Sequence, residues 1–226
     1  MPTIYSGQEL AALKIEQLEP IVEGLLRAGD KVLLVAKQKV GKSIWAQQLL
    51  VCLDGCHDFV GFRVPKKRVG LYIAAEGEVD ELHLNDRHMR AALPGAGTHI
   101  YYWSLPEVKF NSPRGLAALK EVADKVRSRS GVFPEVTVFD PSRFLMRGGQ
   151  SDDDAVESFL DTLNHYQAYT KPNEDSVGST LLVMHHEHRP KFDRDGAQIN
   201  EGPETYTGSM VWAAWPRTML HMWLDG

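Results

Sequence analysis

Apolar residues cluster in six short runs: Lys31–Ala36 (KVLLVA), Val69–Ala75 (VGLYIAA), Thr98–Trp103 (THIYYW), Glu135–Asp140 (EVTVFD), Ser179–His185 (STLLVMH) and Arg217–Trp223 (RTMLHMW). Several are apolar almost without interruption, which is the pattern of strands buried on both faces. The stretches between them repeat with helical period. Lys42–Leu53 carries Ile44, Leu49 and Leu53 with Trp45 beside them, and Val79–Leu93 carries Val79, Leu82, Met89 and Leu93. Pro113–Val126 follows a capping Ser112 and continues through Leu116, Leu119 and Val122, while Asp153–Tyr169 has acids in its first turn and Val156, Phe159, Leu160 and Leu163 behind them. Strand–helix alternation of this kind predicts an α/β fold, a mostly parallel central sheet flanked by helices. Glu9–Leu26 reads as amphipathic helix interrupted at Pro20, so residues 1–28 are expected as an N-terminal helical segment ahead of a core at 29–226. Arg147–Asp154 (RGGQSDDD) and Arg189–Thr207 are polar and read as loops, the second long enough to suggest function.

Composition narrows the class only slightly. The 226 residues hold 25 Lys+Arg against 30 Asp+Glu, a net charge of −5 that excludes a generally basic nucleic-acid coat but leaves room for a local cationic groove. No run approaches the ~18 apolar residues of a membrane span, and the opening MPTIYSGQEL lacks the basic-then-apolar order of a signal peptide. Two cysteines, Cys52 and Cys56, build no disulfide framework; at i, i+4 spacing they read as small buried residues of a cytoplasmic protein.

The most specific signal is Ala36-Lys37-Gln38-Lys39-Val40-Gly41-Lys42-Ser43, which ends a strand and opens a helix. Amides of such a turn and of the helix start converge on a phosphate chain, so Lys39, Val40, Gly41, Lys42, Ser43 and Ile44 form the candidate cradle for ATP. Lys42 would reach the outer phosphates and the Ser43 hydroxyl would bind Mg²⁺. Ala36 stands where the pattern expects its first glycine. The strand Val136–Asp140 ends in one carboxylate, and Asp140 is the candidate acid supporting Mg²⁺ through water. Pro141 follows it, so the acid that orients the attacking water must come from elsewhere; Glu76, just past a strand, is the first choice and Glu78 the second. His185-His186-Glu187-His188 invites a metal, yet alternate strand residues share a face and no second cluster supplies the three or four ligands a metal needs.

Taken in order, these residues resemble the RecA-like hexameric ATPases, and among them the plasmid-type RepA replicative helicases with their phage and bacterial relatives. The likeness begins at Ile21–Asp30 (IVEGLLRAGD) and runs through the phosphate loop, Tyr72–Glu76 (YIAAE), Asp140–Phe144 (DPSRF), Met184-His185-His186, Gly208-Ser209-Met210 and Ala213–Arg217. It implies a RecA-like P-loop NTPase fold, Glu76 as catalytic acid, His186 as a γ-phosphate sensor and Arg217 as an arginine finger reaching a neighbour's site. It implies a homo-hexameric ring or a filament in a bacterial cytoplasm, encoded by the host, a phage or a plasmid. Arg143, Arg147, Arg189 and Lys191, with Arg194 and the aromatics Phe144 and Phe192, fall in or beside the loops that hold single-stranded DNA in such rings; solvated loops are the alternative. The sequence departs from the family where Thr207 precedes Gly208 in place of Arg, and in ending at Gly226, where relatives continue. A motor on single-stranded DNA, a recombinase-like filament and an ATP-binding regulatory module are all compatible with these residues.

Overall fold

The computed structural model describes residues 4–12, 18–186 and 209–223. Helix α1 (Gly7–Ala12) precedes a hairpin of β1 (Pro20–Val22) and β2 (Leu26–Arg27). The chain then alternates: β3 (Lys31–Ala36), α2 (Lys42–Gly55), β4 (Gly70–Ala74), α3 (Val79–Ala92), β5 (Ile100–Ser104), α4 (Pro113–Ser130) and β6 (Val136–Asp140). It continues through the short α5 (Ser142–Leu145), α6 (Asp153–Tyr169), β7 (Thr180–His186), the short α7 (Val211–Ala214) and β8 (Thr218–Met222). Strands β3 to β8 form one six-stranded sheet in the order β5-β4-β6-β7-β3-β8, and every pairing is parallel.

The continuous apolarity of the strands follows from burial on both sides. In β3, Val32 and Leu34 face one core with α2, while Leu33 and Val35 face a second core with α4 and α6. The same alternation runs through Tyr72 and Ala74 against Leu71 and Ile73 in β4. Ser112 caps α4 by accepting from the Gly115 amide at 3.1 Å, and Asp152 caps α6 by accepting from the Ala155 amide at 3.2 Å.

The N-terminal expectation is corrected at residues 20–27. They form an antiparallel hairpin, not a helix, and Ile21, Val22 and Leu26 are buried in the α2-side core. Three apolar residues within six positions mimic helical amphipathicity, but the turn at Gly24, with φ 76°, folds them back. Cys56 is also corrected. It is exposed, because its left-handed backbone (φ 58°) closes α2 and turns the side chain out, while Cys52 is buried as expected. Among the described residues no helix is long and apolar enough to cross a membrane.

Phe139 shows how tightly the second face is packed. Its fully buried ring makes edge-on pairs with Phe110 and Tyr166, with centroids 6.1 and 6.2 Å away. Phe139→Ala is expected to lower the unfolding free energy by about 3–5 kcal/mol, as read by urea denaturation; a loss below about 1 kcal/mol would show that this face is not packed as described.

Candidate active site

Parallel pairing places the carboxyl ends of β4, β6, β7 and β3 side by side, so whatever follows each strand gathers along one rim. The register is specific: Ala36 lies opposite His186, and Ala74 opposite Asp140. Beyond Ala36 the chain turns through residues 37–41, with Lys39 at φ 63° and Gly41 at φ 94°, and α2 begins at Lys42. Left-handed backbone at Lys39 costs on the order of 1 kcal/mol in a non-glycine residue, strain of the kind held at functional turns. Ala36 remains in strand pairing with both His186 and Met222, so its methyl group is accommodated without the freedom of a glycine. Lys42 is buried, and its ammonium donates to the carbonyls of Ala36 at 2.9 Å and Lys37 at 2.6 Å, pinned at the mouth of the loop.

Asp140 is buried at the end of β6, where it accepts a hydrogen bond from the Tyr72 hydroxyl, with the Ser43 hydroxyl close by. Burial raises its carboxyl pKa above the ordinary range, opposed by those two hydroxyls and by the Lys42 charge. Glu76, two residues beyond β4, is also raised, first by desolvation and then by the Asp140 charge, with Arg143 and Lys42 pulling the other way. His186 is lowered to about 4 by burial and by the nearby cations Lys42 and Arg143, so it is neutral at pH 7. These mutual influences define one group: Lys42, Ser43, Asp140, Glu76, Arg143 and His186. Its oxygen donors, the Ser43 hydroxyl and the Asp140 carboxylate, suit a hard cation that keeps most of its water and takes the rest of its ligands from phosphate, as Mg²⁺ does. Among the described residues no cluster of three or more His, Cys, Asp or Glu could hold a metal by itself.

A model of the AAA domain family matches residues 6–190. The chain belongs to the AAA domain family. A KaiC-like protein from the hyperthermophilic archaeon Pyrococcus horikoshii shares the fold: the TM-score is 0.53 at 13% identity, covering 90% of this chain and 76% of that one. Among curated protein sequences none matches significantly. The family and the sheet order together make this a RecA-like P-loop ATPase fold, and nucleotide binding at the phosphate loop is what the family implies.

Within this AAA domain, the expected residues Lys42, Ser43, Asp140, Glu76 and His186 come together, and residues 39–44 form the turn and helix start expected of a cradle, with Ile44 half exposed. Glu78 is the N-cap of α3, its side chain making no capping hydrogen bond, and Glu76 lies within electrostatic reach of Asp140. Arg217 stands at the start of β8, its amide donating to Lys31 at 2.8 Å and its guanidinium 3.6 Å from Asp30, at the end of the sheet opposite the loop. The length of β3, roughly 3.3 Å per residue, separates it from its own chain's site. Arg143, expected on the nucleic-acid side, is exposed, and its charge also reaches Glu76 and His186 while its guanidinium lies over the Phe144 ring at 4.5 Å. Arg147 is exposed, its backbone clasped by the Asn111 side chain at 2.7 and 2.8 Å. His188, Arg189, Lys191, Phe192, Arg194, Thr207 and Gly208 lie outside the described residues. Sequence reasoning missed Tyr72, which donates to Asp140, and Gln47, buried on α2 beside the Tyr72 hydroxyl. The signals were present: a tyrosine inside an otherwise aliphatic strand, and a polar residue one turn after Ser43 on a buried helix.

The raised Asp140 pKa means that the folded chain holds this proton more tightly than the unfolded chain does. The negative charge therefore opposes folding at neutral pH, and that cost disappears as pH falls through the raised pKa. Asp140→Asn, which still accepts from Tyr72, is expected to raise the Tm of the nucleotide-free protein by about 2–4 °C. A fall in Tm by calorimetry would show that the carboxylate is instead stabilised where it sits.

Proposed function

We propose that this AAA domain is a Mg²⁺-dependent ATPase that works as a homo-oligomer, hexameric ring or filament, on single-stranded DNA, in the manner of RepA-type helicases and translocases. The observation that carries the reading is the gathering of Lys42, Ser43, Asp140, Glu76 and His186 on one rim of a RecA-like sheet, each altering or hydrogen-bonding another. Bound Mg²⁺ would neutralise phosphate charge and orient the chain of phosphates. The Ser43 hydroxyl and, through water, Asp140 are the residues to hold it. Lys42 would exchange the Ala36 and Lys37 carbonyls for phosphate oxygens. Glu76, its basicity raised, would accept a proton from the attacking water, and neutral His186 would hydrogen-bond the outer phosphate. Arg143 supplies positive charge within the chain; Arg217, with its side chain 63% exposed, would serve a second copy.

The DNA part of the proposal rests on Arg143 and Arg147, which follow Asp140 in the chain, with Arg189 and Lys191 as further candidate cations in the sequence. With a net charge of −5, any grip on a strand comes from such local cations and weakens with salt. The acids Asp152 to Asp154 beside Arg147 favour the competing reading, an ATP-binding regulatory module that does not engage DNA.

ATP turnover measured at low salt is expected to rise on adding single-stranded DNA; unchanged turnover would favour the regulatory module. Lys42→Ala is expected to abolish hydrolysis, losing at least about 10²-fold in kcat. Glu76→Gln should still bind ATP but stall. The wild-type rate should fall as pH drops through the raised Glu76 pKa, so the acid limb lies above the ordinary glutamate range. A Glu76→Gln variant that turns over normally would move the role to another acid.

A further inference from the structure

Behind the rim lies a second buried polar cluster for which hydrolysis itself has no use. Ser142, His185 and Trp212 are each fully enclosed. The Gln150 carboxamide nitrogen lies 3.3 Å from the Ser142 hydroxyl and 3.1 Å from His185 Nδ1. Ser142 and His185 are themselves 3.4 Å apart. An amide nitrogen only donates, so His185 Nδ1 accepts and its ring proton sits on Nε2. The Gln150 main-chain carbonyl meanwhile accepts from the Ser209 amide at 2.9 Å and from the Trp212 indole at 3.2 Å. The indole also lies against the His185 ring, with centroids 4.6 Å apart and 37° between the planes.

The position of this cluster gives it meaning. Ser142 immediately precedes Arg143, and His185 immediately precedes His186, whose ring feels the charges of both Lys42 and Arg143. Successive strand residues point to opposite faces, so a shift of the β7 end that moves His186 on one side moves His185 on the other. Gln150 is joined by its side chain to both neighbours of the site and by its backbone to the turn that opens α7. Polar groups held in such a low-dielectric contact respond together, because leaving one of them unsatisfied is costly.

We propose that Gln150 is a positioning residue that couples the state of the phosphate site to the segment 209–215 and to the loop carrying Arg147. The proposal rests on the nucleotide reading of the site and is independent of the DNA reading. A change at His186 or Arg143 is passed through His185 and Ser142 to the carboxamide, and from the Gln150 carbonyl to Ser209 and Trp212.

The test is hydrogen–deuterium exchange on the full chain with and without Mg·ATPγS, with calorimetric titration of the same samples. In the wild type, nucleotide is expected to change amide exchange across residues 209–215 by about fivefold, the low end of ordinary site–site coupling. Gln150→Ala removes the carboxamide and one methylene and leaves the main-chain carbonyl in place. It should bind nucleotide within about twofold of wild type, keep the nucleotide-free protection of the Ser209 amide, and lose the nucleotide-dependent change. Ser142→Ala, an independent variant that deletes one partner of the carboxamide, should at least halve the response. A full response in both variants, or a wild type that binds nucleotide with no change at 209–215, overturns the coupling. A wild type that binds no nucleotide overturns the reading of the site, and the coupling with it.

Discussion

The structure depends on keeping two opposite charges out of water at the end of a doubly covered sheet. Lys42 and Asp140 are both buried, and each is held by specific partners: loop carbonyls for the ammonium, the Tyr72 hydroxyl for the carboxylate, with Ser43 close by. Burying such groups is expensive unless hydrogen bonds and opposite charge compensate for lost water. The compensation here is incomplete, since the Asp140 pKa stays raised. A rim that leaves its carboxylate undercompensated and holds Lys39 in left-handed backbone keeps strain and unbalanced charge at the place where the proposed Mg²⁺ and phosphate chain would sit.

Everything else positions that pair. Parallel strands covered on both faces put their carboxyl ends at one level, and the order β4-β6-β7-β3 sets Glu76, Asp140, His186 and the phosphate loop in a row. The two apolar layers keep the row rigid. Phe139 holds one face, adjoining Asp140 in sequence, while Tyr72 on the other face is both a core residue and the donor to Asp140. The polar cluster at Gln150 extends the same logic behind the site, tying β7 to the chain that follows Asp140 and to the turn before α7.

The sheet and its helices were legible because burial on two faces writes long apolar runs into short segments, and the helices of this chain carry their own caps, as at Ser112 and Asp152. The phosphate loop was legible because Gly41-Lys42-Ser43 falls between a strand and a helix. What escaped was decided by tertiary contact. The hairpin at residues 20–27 is imposed by packing under α2, and periodicity over six residues cannot separate it from a helix turn. The position of Arg143 depends on how Pro141 and Ser142 leave β6, and that of Arg217 on which end of the sheet β8 begins, neither of which local sequence encodes. Tyr72 looked like one more apolar strand residue until Asp140 was placed opposite its strand.

The central claim is that the loop ending in Lys42 is a phosphate cradle whose ammonium is held in reserve by its own carbonyls. A crystal structure of the full chain with Mg·ATPγS measures this directly. Phosphate oxygens are expected on the amides of residues 39–43, with the Lys42 ammonium drawn off the Ala36 and Lys37 carbonyls onto those oxygens and the metal beside the Ser43 hydroxyl. Nucleotide bound elsewhere on the chain, or a Lys42 still on its carbonyls with phosphate present, would contradict it.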